Sequence, residues 1–187
     1  MQINFPPYTI AISDDPTYGI HGSGQPGKYT YEYSDGELIR KRAFAINKRG
    51  ITIKKGDQTI ASAILCENGG RSTISEAIFH LEHDFLYVCI GDKLYALSFP
   101  SLKVNWFYPV DFGTIHSVNS FAGDLLIHAN SGLVRISKSG SIQWRFQGGN
   151  GVFTPGDNRL SLTEGQITVI DGNDRKFVLD GNGEEIV

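Results

Sequence analysis

The sequence predicts an all-β protein of short antiparallel strands, and three observations carry that prediction. Apolar residues recur in short alternating or continuous runs rather than at helical spacing. Most of the 22 glycines fall between those runs, where they punctuate turns instead of forming a linker. The second part of the chain repeats itself at a period of about 40 residues, the size of a four-stranded propeller blade.

Composition bounds the answer further. A chain of 187 residues can bury one sizeable core or two small ones packed together. With 40% hydrophobic and 20% charged residues it belongs among folded chains. A net charge of −3 argues against direct nucleic-acid binding, whose footprint is basic, and suits a basic protein partner. Cys66 and Cys89 stand far apart and outside any Cys-x-x-Cys pair, so two buried, reduced thiols are expected. The first residues show no basic region leading into an apolar one. No apolar run approaches the roughly 20 residues that span a bilayer. The expectation is a cytoplasmic chain without membrane contact.

Residues 1–71 read as an N-terminal β-meander subdomain. Residues 8–13 alternate as a strand, and 14–27, rich in Asp, Pro, Gly and Ser, form a long loop. Residues 28–33 are aromatic and β-prone, and Ser34-Asp35-Gly36-Glu37 is a turn. Residues 38–46 alternate again before a predicted turn at Asn47-Lys48-Arg49-Gly50. Strands follow at 51–53 and 59–66, separated by Lys54-Lys55-Gly56-Asp57.

Residues 72–187 read as a subdomain of blade-like repeats, three copies in all. The first is LYVCIGDKLYALS followed by FPSLKVNW, closing at Trp106. The second is LLIHANSGLVRIS followed by KSGSIQW, closing at Trp144, 38 positions on. The third, ITVIDGNDRKFVLD followed by GNGEEI, is worn and ends on Ile186. Each is strand, tight turn, strand, turn, strand, with turns at Gly91-Asp92, Asn130-Ser131-Gly132 and Asp171-Gly172-Asn173-Asp174. A further strand precedes each copy, at 77–79, 117–121 and 159–162. Each Trp is expected to lie over the next repeat and cover its core. Three clear copies are too few for a closed ring, so the predicted architecture is a partial or distorted propeller packed on the N-terminal meander. One segment is ambiguous: Thr73-x-x-Glu76 resembles a helix capping box, yet residues 78–80 hold a first-strand position, and strand is preferred.

Candidate chemistry is sparse. His80 and His83, three apart, would need a helix and a further ligand such as Cys66 or Cys89 to hold zinc, and a turn explains them as well. The Asp-Gly-Asn stretches at 171–174 and 180–184 lack the spacing of a calcium loop and sit where hairpin turns belong. Gly148-Gly149-Asn150-Gly151 has no Lys-Ser or Lys-Thr after it, and there is no Gly-x-Ser-x-Gly elbow. His21, His116 and His128 read as lone structural histidines. No catalytic, cofactor-binding or metal residue is predicted, and the chain is read as a binder rather than an enzyme. The aromatic run at 106–112 must fill core, but part of it could line an interface.

LYALSFPSLKVNW and LVRISKSGSIQWRF resemble the repeats of quinoprotein-type β-propellers, without any match to the calcium and cofactor site of those enzymes. The order FLYVCIGDKLYALSFPSLKVNW, GDLLIHANSGLVRIS-KSGSIQWRF, QITVIDGNDRKFVLDGNGEEI is also similar to small bacterial immunity proteins of polymorphic-toxin and contact-dependent inhibition systems. It departs from them at Ala129-Asn130, where a regular Gly-Glu strand is expected. That second resemblance implies a protein, monomeric when free, that binds a cognate toxin domain, often a nuclease, and blocks its active site. It transfers no binding residue. Loops on a rigid β scaffold commonly carry binding groups. The candidates chosen on that ground are the carboxylates Glu82, Asp84 and Asp111, with Tyr108 and Phe112 as apolar anchors. The alternative is a non-catalytic propeller-like scaffold module for another protein or a carbohydrate, and a degenerate quinoprotein-like enzyme stands third.

Overall fold

A computed structural model describes residues 1–19, 27–38, 45–148, 153 and 159–186. Among them the regular structure is strand, apart from one 3-10 turn, Glu76–Ile78. The first sheet has the order β1-β2-β5-β6-β3-β4. Its strands are β1 (Gln2–Phe5), β2 (Tyr8–Asp14), β3 (Tyr31–Ser34), β4 (Glu37–Leu38), β5 (Asn47–Lys55) and β6 (Gln58–Glu67). The second sheet is formed by β7 (Phe79–Glu82), β8 (Phe85–Ile90), β9 (Lys93–Ser98) and β10 (Val104–Pro109). The third holds β11 (Ile115–Phe121), β12 (Asp124–Ala129), β13 (Gly132–Ile136) and β14 (Ile142–Phe146). The fourth is β15 (Leu160–Thr163), β16 (Gln166–Ile170) and β17 (Lys176–Asp180). The protein is all-β, and none of the four sheets closes on itself. No described helix is long and apolar enough to cross a membrane.

The first sheet is not the simple meander that its strand sequence suggests. β2 pairs with β5, placing Ile10 opposite Ile53 and Ile12 opposite Ile51 on one buried face. β3 then joins the far side of β6 in parallel, Tyr31 opposite Ala63. The physical reason lies on the other face. Ile64 and Cys66 point outward there and are covered by Tyr18, which follows β2, by Tyr29, which precedes β3, and by Ala45, which precedes β5. The turn expected at 47–50 is instead the start of β5, where Arg49 and Gly50 are buried. The alternation expected through 39–44, the loop around His21 and most of the glycines at 148–151 lie outside the described residues.

The second and third sheets each use their period-2 alternation to serve two cores. Leu86, Val88, Ile90, Tyr95 and Leu97 face the first sheet's Ile10, Ile51 and Leu65. Tyr87, Cys89, Leu94 and Ala96, on the opposite face, meet Leu125, Ile127, Val134 and Ile136 of the third sheet. Leu126 and Leu133 then turn to Ile167, Val169, Phe177 and Leu179 of the fourth. Stacking face to face around three cores explains why the central strands of the second and third sheets read as nearly continuous apolar runs: both of their faces are buried. At 73–82 the segment is a short 3-10 turn followed by β7, with no side-chain cap at Ser75, so the capping-box pattern does not make an α-helix.

The two tryptophans hold equivalent places. Trp106 in β10 pairs opposite Ala96, and Trp144 in β14 opposite Arg135, each just after a register shift. The indole N–H of Trp106 donates to Lys138 O at 2.8 Å, and that of Trp144 to Gly181 O at 2.9 Å. Each ring lies on a glycine of the next sheet's turn, Gly140 (φ +88°) and Gly183 (φ +80°). A Cβ at Gly183 would sit 2.6 Å from the Trp144 ring. Each Trp therefore locks its own sheet to the turn of the following one.

Trp144→Ala is expected to lower the unfolding free energy by about 3 kcal/mol, and Trp144→Phe, which loses mainly the hydrogen bond, by about 1 kcal/mol. Gly165→Ala has the same positive-φ strain as Gly183→Ala but open space around it. It should cost about 1 kcal/mol, with a further 1–3 kcal/mol or so at Gly183 from the ring clash. Chemical denaturation of the four variants checks both comparisons.

Candidate functional site

The loops at the Gly91-Asp92 end of the stack are laced by backbone hydrogen bonds. Val110 N donates to Asp92 O and Ile115 N to Gly91 O, both at 2.8 Å. Asn130 N donates to Thr114 O at 3.1 Å, Ser131 N to Phe112 O at 3.2 Å, and Phe153 N to Asn130 O. The segment between β6 and the 3-10 turn crosses this end. It fits because Gly69 and Gly70 lack side chains: a Cβ there would lie 2.1 Å from Asp92 Oδ1 or 1.9 Å from Thr114 Oγ1. Asn47 Nδ2 holds the crossing by donating to Gly69 O and Gly70 O at 3.1 Å, and Ser72 Oγ accepts from Gly91 N at 3.0 Å.

Underneath the crossing lies Arg49, fully buried. Its Nη1 donates to Cys89 O at 2.8 Å and its Nη2 to Ser72 O at 3.0 Å, while Asp14 Oδ1 stands 3.4 Å away. Burial lowers the guanidinium pKa, and Asp14 works against that shift. A cleft of about 280 Å³ opens on one side of the crossing, lined by Arg71, Ser72, Thr73, Ser75, Ile78, Thr114, Ile115, His116 and Asn130. A second, of about 340 Å³, opens on the other side, with Asp14, Lys48 and Arg71 among its walls.

His116 and His128, lone residues in the sequence, form a pair with ring centroids 5.3 Å apart. His116 Nε2–H donates to Phe153 O at 3.0 Å, which fixes its tautomer. His128 is buried, its Nε2 has no hydrogen-bond partner among the described residues, and burial, reinforced by His116, pushes its pKa down to about 4. The pairing was legible in principle. Folding residues 115–129 about Ala122-Gly123 sets Ser117 opposite His128 and so brings its neighbour His116 close.

The five residues singled out from sequence do not form one surface. Glu82 and Asp84 lie at the β7–β8 turn, at the opposite end of the second sheet from Asp111 and Phe112, roughly 20 Å away along six-residue strands. Glu82 pairs with Lys138, and that hydrogen bond holds its carboxyl below the usual range. Asp84 is exposed, and its carbonyl accepts from Phe99 N. At the other end Arg145 Nη2 donates to Tyr108 Oη at 2.7 Å and stands 3.6 Å from Asp111 Oδ2, joining β14 to the end of β10. Phe112 packs against Gly132 at the edge of the second core and is half-buried. Arg71, Thr114, Asn130 and Arg145 were not anticipated; only Gly69-Gly70 hinted that something packs closely there.

Other candidate ligands have clear local roles. Asp171 Oδ1 accepts from Asn173 N and Arg175 N, and Asp180 Oδ1 from Asn182 N and Glu184 N, so both carboxylates cap their own turns. Cys66 and Cys89 are buried free thiols in different cores; burial pushes Cys66 up to about 12. His80 lies on β7, and His83 occupies the adjacent turn with positive φ.

The fold and site define a class, an all-β stack of sheets, antiparallel but for the β3–β6 pair, with a polar cleft at one end. No family model matches the chain, and no curated protein is similar to it. Among solved structures it is similar to the computationally designed protein Ika8, with a TM-score of 0.57 at 11% identity over 100% of this chain and 59% of that one. A structure described as the AfRom2 CNH domain gives a TM-score of 0.47 at 12% identity over 75% of this chain and 46% of that one. The chain thus spans about half the length of these structures. The likeness to Ika8 is one of fold.

Burial of His128 makes stability depend on pH. Its folded pKa is depressed, so the unfolded state binds the extra proton first. Stability should fall as pH drops from about 6.5 toward about 4, by up to about 3 kcal/mol. Glu67, raised by burial, acts with the opposite sign. The test is therefore the difference between wild type and His128→Phe across that window in urea titrations, with the variant showing the flatter profile.

Proposed function

We propose that the four sheets are successive blades of an open propeller-like array, and that the chain works by binding a protein partner through the Gly91-Asp92 end. The particular form favoured is an immunity protein that neutralises a cognate toxin domain, a nuclease, by covering its active site in the cytoplasm. The immunity form rests on the sequence resemblance. The observation that supports binding at this end is the Tyr108–Arg145–Asp111 cluster, beside the polar cleft and mounted on strand ends. Tyr and Arg are the residue types that most often dominate interface energies, and a rigid mount limits the entropy lost on binding. Asp111, with its side chain 71% exposed, is free to meet a cationic group of a nuclease.

Co-expression with the toxin domain encoded beside this chain tests the reading. Cells should survive only when this protein is present, and the two chains should co-purify. Tyr108→Ala and Asp111→Lys should each weaken the complex about tenfold or more, whereas Asp84→Lys, at the far end, should leave it nearly unchanged. Survival without this protein, or no complex at micromolar concentration, would leave a scaffold module for another protein or a carbohydrate as the better reading.

A further inference from the structure

We propose that the smaller cleft beside Arg71 is a carboxylate subsite that receives an acidic side chain of the protein partner; this rests on the partner-binding reading above. Three observations carry it. The described walls hold one exposed guanidinium, Arg71, together with the hydroxyls of Thr73, Ser75 and Thr114, the amide of Asn130 and the imidazole of His116, and no carboxylate. Glu76 follows Ser75 and is exposed, but it is not part of the wall.

The second observation is the cation underneath. Arg49 is buried below Ser72, and neutral carbonyls of Cys89 and Ser72 take its closest hydrogen bonds. Its one carboxylate, Asp14, is 3.4 Å away and lines the other cleft. Asp92, the acid nearest the crossing glycines, is 3.2 Å from Lys93. Ser72, in the wall of the smaller cleft, thus accepts from a buried cation whose carboxylate partner Asp14 lines the other cleft, and in a low-dielectric setting a positive charge behind the wall favours an anion.

Size is the third. About 280 Å³, at the lower end of the range for ligand pockets, leaves ample room for an inserted acidic side chain. A guanidinium fork takes a carboxylate through two parallel hydrogen bonds, and the surrounding hydroxyls can donate to the remaining lone pairs. The partner thus combines a basic surface, suited to the overall charge of −3, with one acid placed to enter this cleft. An acid in a mainly basic surface gives register as well as attraction.

The test uses the whole chain labelled with 15N and three probes: the blocked peptides Ac-Gly-Glu-Gly-NH2 and Ac-Gly-Gln-Gly-NH2, and inorganic phosphate. The Glu peptide should move the amide signals of Thr73, Thr114 and Asn130 saturably, with a dissociation constant on the order of millimolar. Arg71→Gln, an exposed change that leaves the fold intact, should weaken that binding about tenfold. The Gln peptide should fail to saturate. Equal response to the two peptides, an unchanged response in Arg71→Gln, or saturation by phosphate alone would overturn the proposal. The titration needs no toxin, so its failure and a failed co-purification are separate results.

Discussion

Much of the molecule depends on one buried cation. Placing a guanidinium in a protein interior costs several kcal/mol unless hydrogen bonds and a counter-charge replace its water. Arg49 meets that requirement with a carbonyl from β8, a carbonyl from the crossing segment and a carboxylate from the end of β2. Those three partners come from three parts of the chain, so the cation is satisfied only when the first sheet, the second sheet and the crossing are docked together. Ser72 is fixed as a result, and with it the hydroxyl that accepts from Gly91 N. The floor of the cleft is therefore set by the core and not by the flexibility of a loop.

The repeats were the most legible part of the fold because they state the same physics more than once. Alternation, a turn that needs positive φ, and a terminal Trp recur, and the structure places Trp106 and Trp144 at matching registers with matching donors. The first sheet was less legible. Parallel pairing of β3 with β6 depends on which residues cover Ile64 and Cys66, a long-range choice that no local pattern encodes. Arg49 was misread for a related reason: Asn-Lys-Arg-Gly has the composition of a turn, and only the docked second sheet supplies the acceptors that let it continue as a strand.

Site residues were the least legible. Carboxylates and aromatics in predicted connections are reasonable candidates, yet strand direction sends Glu82 and Asp84 to one end and Asp111 to the other. Phe112 illustrates a second difficulty, since an aromatic in a loop packs on core as readily as it faces solvent, and the space left by Gly132 lets it do part of each. Arg71 and Arg145 became visible only through what surrounds them.

The stack also has a mechanical asymmetry. The second and third sheets are clamped between cores on both faces, while the fourth meets its core through the face that carries Ile167, Val169, Phe177 and Leu179. On its other face Ser161, Thr163, Gln166 and Lys176 are exposed, while Val178 is buried there. In a quasi-one-dimensional array each unit draws its stability from its neighbours, so a unit with one neighbour opens at a lower free energy than units with two. The fourth sheet meets the third through Phe121, Leu126, Leu133 and Phe146, through the Trp144 indole and through Arg135 Nη1, which donates to Gly181 O at 2.7 Å, so those contacts set how firmly the end of the stack is held. Phe153, inside that core, also accepts from His116, so the packing that holds the fourth sheet is shared with the loops at the cleft end.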